Sequence, residues 1–202
     1  MVRLVAVAAK LWFTRNWMYA GLIAALFLLA VLPLFGGGWI LPLILVYLML
    51  PAYMLHQVEE HAGDRFRRYV NRQVLKVPDA LTTVAVVVIN VPLVWGVYLV
   101  VLYFARFAGV GWGLVAAYLM LVNAVLHVVA ALVRRGYNPG LATAVVVFLP
   151  LAIWSLVAIS SVPGVTILQQ VVGLAVGVLV HLAIVVHVRR RVAKLREIPA
   201  PA

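Results

Sequence analysis

The chain has 202 residues, of which 67% are hydrophobic and 10% charged, and its sixteen Lys and Arg residues against five Asp and Glu give a formal charge of +11. No soluble domain of this length has a core large enough to hide that apolar fraction, so the composition excludes a water-soluble globule. Cysteine is absent, which excludes disulfides, thiolate nucleophiles and thiolate metal ligands, and leaves histidine and carboxylate as the only ligands for a metal.

Residues 1 to 16 place Arg3, Lys10 and Arg15 among Leu4, Leu11, Trp12 and Phe13, a pattern that predicts a short amphipathic helix lying at the membrane interface. Six apolar runs follow, each near the roughly 20 residues that cross a hydrocarbon layer about 30 Å thick. The first covers about 17 to 35 and stops at Gly36-Gly37-Gly38; the second covers about 39 to 60, with kinks expected at Pro42 and Pro51. The stretch 61–79 is the most polar of the chain, carries Arg65, Arg67, Arg68, Arg72 and Lys76, and is expected in water or among headgroups. Spans three to six run over about 81–107, 112–133, 141–160 and 165–188, and a basic tail at 189–202 ends in a Pro-Ala stretch expected to be disordered. The predicted fold is an all-α bundle of six transmembrane helices occupying 17–188.

Of the sixteen basic residues, all but Arg106 fall in segments that an even number of spans brings to one side. This bias predicts that both termini are cytoplasmic. Because the basic residues flank the apolar runs instead of lining a soluble face, the partners they imply are anionic membrane lipids and not nucleic acid.

Ionisable groups inside a bilayer are costly, so their placement points to function. His56, Glu59 and Glu60 project from one helical arc about 100° wide and can act on one target; the plainer alternative is a solvated helix end paired with Arg65 or Arg68. His61 points elsewhere and reads as an interface residue. Asn123 and His127, four apart, share a face of span four, with His127 roughly 10 Å inside the end marked by Arg134. His181, eight residues before Arg189, falls at a similar depth and continues the series Gly173, Gly177, His181 along a small-residue face suited to close helix packing. Asn90 reads as a helix-packing amide, and Tyr137 as a phenol at the mouth of the site.

Three segments, His56-Gln57-Val58-Glu59-Glu60, Asn123 to His127, and Tyr137-Asn138-Pro139-Gly140, together resemble the bacterial HXXEE membrane-protein family, whose pattern has HxxEE, NxxxH and YxPG elements in that order. The resemblance implies a multi-pass protein of the bacterial inner membrane and marks His56, Glu59, Glu60, Asn123, His127, Tyr137, Pro139 and Gly140 as the functional residues. It supplies no reaction.

The leading expectation is a metal-dependent enzyme, hydrolase-type, acting on a lipid or other apolar substrate. His56, Glu60, His127 and His181 would hold a divalent ion, Zn first and Fe or Mn next, while Glu59, Glu60, Asn123 and Tyr137 carry the catalytic roles. A di-iron centre wants about four carboxylates, more than this depth offers, and a bis-histidine haem leaves the glutamates unexplained. Alternatives are a metal-independent His/Glu acid-base enzyme of isomerase type and a proton-coupled transporter; against the latter, the outer half of the spans is almost wholly apolar. A purely structural role leaves the cost of the carboxylate pair unexplained.

Overall fold

In hydrocarbon every backbone N–H and C=O must find its partner within the chain, and apolar runs of this length meet that demand as helices. The computed structural model describes residues 2–197, with side chains from Trp12 onward, and the described residues form helices and turns without a strand. Six helices are long and apolar enough to cross a membrane. We label them α1 (Val2–Phe35), α2 (Leu41–His61), α3 (Thr83–Phe107), α4 (Leu114–Arg134), α5 (Leu141–Ser160) and α6 (Ile167–Arg196). The chain is a multi-pass membrane protein.

Helix α1 continues unbroken through the stretch expected at the interface, whose side chains up to residue 11 lie outside the described residues, as does the tail from 198. Pro42 does not kink α2. It occupies the first turn, where the missing N–H needs no partner, and α2 continues as α-helix through the buried Pro51. Proline acts elsewhere: Pro92 lies in a widened π-helical stretch, Ile89–Trp95, and a second such stretch, Ala144–Phe148, ends just before Pro150, each accommodating the lost hydrogen bond.

Helix α4 is central, packed against α5 and α6, while α2 packs on α1, α3 and α5. Gly173 and Gly177 let α6 approach closely: a β-carbon on Gly177 would lie 3.1 Å from the Tyr118 backbone.

The polar stretch after α2 keeps most of its charged side chains exposed but packs one side on the bundle. The chain breaks at Gly63 and Asp64 (φ of 63° and 62°) and re-forms helix over Arg65–Arg68 and Tyr69–Val74. The apolar side of this segment, Phe66 and Val70, packs on the Trp17, Met18, Leu81, Val86 and Val188 cluster, and Arg67 pairs with Asp64 and Asp79. Arg134 donates to the Gln73 carbonyl and Arg191 to that of Asp79, so the ends of α2, α4 and α6 meet the start of α3 at one basic end. The buried Asn71 amide clasps the chain there, accepting from Leu81 N–H (2.8 Å) and donating to Leu81 C=O (2.9 Å). Asn71→Ala is expected to cost about 2 kcal/mol, because two backbone groups lose their partner. Thermal unfolding in detergent checks this, and an unchanged midpoint would show that the amide does not hold the segment.

Candidate metal centre

Four residues apart on α2, His56 and Glu60 face the same way, and α4 brings His127 opposite them. His56 is fully buried, Glu60 and His127 nearly so. Glu60 Oε2 lies 3.6 Å from His56 Nε2, and Glu60 Oε1 lies 3.6 Å from His127 Nε2. One ligand atom from each of the three fits within 4.8 Å of the others, so the group can hold a metal ion. Tetrahedral Zn²⁺, with bonds of about 2.0–2.1 Å, wants ligand atoms roughly 3.4 Å apart, close to the 3.6 Å that separates each imidazole Nε2 from a Glu60 oxygen.

The hydrogen bonds around the two imidazoles set their tautomers. Thr143 Oγ1 lies 2.5 Å from Glu59 Oε2 and 3.3 Å from the Gly140 carbonyl, both pure acceptors, so its proton goes to one of them. The hydroxyl must then accept from His56 Nδ1, 2.7 Å away. Asn138 Nδ2 donates to the His127 carbonyl (2.9 Å), which turns Oδ1 toward His127 Nδ1 at 2.6 Å, and an amide oxygen only accepts. Both rings therefore carry their proton on Nδ1 and point the Nε2 lone pair at Glu60, the arrangement of metal-ligating histidines.

Glu59 faces a different target from Glu60. Its carboxylate accepts from Tyr137 Oη (2.7 Å), Ala142 N (3.1 Å), Thr143 N (2.7 Å) and Thr143 Oγ1. Gly140, the residue before α5, has no side chain to cap the helix. Glu59 supplies that cap from α2, accepting from two of the free N–H groups and meeting the positive end of the dipole. Partial burial, the hydrogen bond to Glu59 and its negative charge together hold the Tyr137 phenol above its ordinary pKa, so it remains a donor.

Gly140 (φ 98°) passes beside both rings; a β-carbon there would lie 2.6 Å from His127 Cε1 and 2.8 Å from His56 Cε1. His61, expected to point elsewhere, instead brings Nε2 to 3.0 Å from Glu60 Oε2, its ring against Trp17 and Phe66. The helix ends at this residue (φ −110°), so a wheel drawn for a continuing helix misplaces its ring. His181 lies outside the triad: it lines the same cavity, partly buried, and its Nδ1 donates to Gly177 C=O at 2.8 Å. Asn123 also lines the cavity, with Nδ2 3.4 Å from Tyr53 Oη and Oδ1 lacking a partner among the described residues. Asn90 joins a buried network, accepting from Gln57, whose own oxygen accepts from Trp95.

Sequence reasoning passes over Thr143 and Asn138 and places His61 at the interface. Asn138 carried a signal, standing inside the Tyr137-x-Pro139-Gly140 element; Thr143 offered only a hydroxyl one turn into an apolar span.

No curated protein and no solved structure matches the chain. The family model described as a protein of unknown function with HXXEE motif matches residues 47–155, a stretch holding both the triad and the residues that orient it. With more than half of its length matched, the chain belongs to the HXXEE family.

Proposed function

We propose that this protein is a metal-dependent enzyme of hydrolase type in the bacterial inner membrane, acting on a lipid or other apolar substrate at a cytoplasm-facing pocket, with both termini on that side. The observation that carries this reading is the pair of preset tautomers: Thr143 and Asn138 leave two buried Nε2 lone pairs aimed at one carboxylate. Two imidazoles and one carboxylate suit Zn²⁺ first and Fe²⁺ or Mn²⁺ next. A divalent ion bound there supplies Lewis acidity.

The remaining roles belong to the chain. Glu60 balances the ion's charge, and His61 beside it keeps the carboxylate in place. His181, with Nδ1 committed to Gly177, has its Nε2 lone pair available, either to coordinate the ion as a fourth ligand or to take a proton as a base. The Asn123 amide orients a polar group of the substrate, and Glu59 with Tyr137 holds the start of α5 to the site.

The test is elemental analysis of detergent-purified protein beside the His56→Ala, His127→Ala double variant. Near-stoichiometric Zn, Fe or Mn that disappears in the variant is the expected result. Folded wild type that stays metal-free after incubation with these ions would sink the proposal. It would also favour the metal-independent acid-base alternative, for which the His61 and Glu60 contact is the supporting observation.

A further inference from the structure

A cavity of about 270 Å³ adjoins the cluster, lined by Glu60, His61, His127 and Asn123, by Asn90 and His181, and otherwise mostly by apolar side chains. Apart from Asn90 and His181, the part of the lining that comes from α3 and α6 is aliphatic: Val86, Ile89 and Val94 of α3 with Val180, Ile184 and Val185 of α6. These two helices are joined at the basic end, where Val188 clusters with Leu81 and Val86, but do not pack against each other along their length. Leu126 of α4 and Val185 of α6 line the cavity and are also exposed, 46% and 45%, so it is open to the outside of the bundle.

We propose that this opening is a lateral portal through which the acyl chain of a membrane lipid enters between α3 and α6, placing its polar end against Glu60, His127 and Asn123. The inference deepens the metal-enzyme reading and rests on it only for what happens at the polar end. Three observations select the occupant. Both flanking helices qualify as membrane spans, so the opening is bathed in hydrocarbon. A mostly apolar cavity that reaches the Glu60 and His127 cluster is complementary to a chain with a polar head. A helix of a second copy would need a small-residue stripe on α6, and Gly173 and Gly177 are already used against α4.

The experiment reconstitutes the full chain in phosphatidylethanolamine and phosphatidylglycerol vesicles containing a trace of phosphatidylglycerol with a diazirine near the acyl-chain end, irradiates, and maps adducts by peptide mass spectrometry. Adducts are expected on Val180, Ile184, Ile89 or Val94, falling about tenfold in Ile184→Trp, whose added bulk fills the cavity. The outward-facing Leu182→Trp should leave them unchanged. Adducts spread over Leu179 and Leu182 with none on Ile184 would overturn the portal, as would chain-to-chain crosslinks at the same positions. Since the wild-type map needs no variant, a poorly folded Ile184→Trp does not rescue the idea. Metal content of the same sample separates the two proposals: metal-free protein with cavity adducts keeps the portal and removes the metal reading, and metal-loaded protein without them does the reverse.

Discussion

Gly140→Ala is expected to lower stability by about 2–5 kcal/mol, combining about 1–2 for a left-handed alanine with about 1–3 for overpacking, and to abolish metal binding. The new β-carbon would have to enter space within 2.6 Å and 2.8 Å of two imidazole carbons. Neither ring can yield, because His56 is tied through Nδ1 to Thr143 and His127 to Asn138. The control is Gly136→Ala, four residues earlier, where the β-carbon meets only the Arg134 carbonyl at 3.9 Å and φ is not positive. Thermal unfolding and metal content of the two variants decide the matter. Equal stability for both would show that the turn relaxes without disturbing the histidines.

The two neighbouring glutamates should behave differently. Glu60→Gln keeps the shape and removes the charge that three imidazoles face, so metal affinity should fall by more than the roughly 10–100-fold that a lost outer hydrogen bond costs, with the fold retained. Glu59→Gln leaves the triad intact but replaces an anion that accepts four hydrogen bonds. It should cost about 1–3 kcal/mol of stability and, acting through Thr143 on His56, about 10–100-fold in metal affinity. Chelator competition and thermal unfolding separate the two profiles. Identical profiles would mean that the carboxylates form one unit after all.

Much of this was legible in the sequence, for physical reasons. Six apolar runs must be helices in hydrocarbon, and Gly36 to Gly38 and the Arg134 to Gly136 break mark real turns because neither stretch can stay helical cheaply there. Shared depth put His56, His127 and His181 in one layer, but depth says nothing of azimuth, and only the packing of α2 on α4 decides that the first two meet while His181 lines the cavity outside the triad. A helical wheel fixes the direction of Glu59 and Glu60 to within an arc, yet not which neighbour each finds. The partners that set the ring protons come from 87 residues away for His56 and 11 for His127, from a segment whose own pattern reports only a helix start. The side opening depends on α3 and α6 failing to pack, a property of the pair that neither sequence carries alone.

The cap that Glu59 places on α5 also bears on biogenesis. A nascent chain that has inserted four spans already holds His56, Glu60 and His127, but not Asn138, Gly140 or Thr143, so its imidazoles lack the acceptors that set their protons. Docking of the fifth span supplies these residues and satisfies the Glu59 carboxylate in one event. Assembly of the triad's hydrogen-bond partners is thereby tied to the order of synthesis, and an incompletely inserted chain holds the three side chains without the groups that orient them.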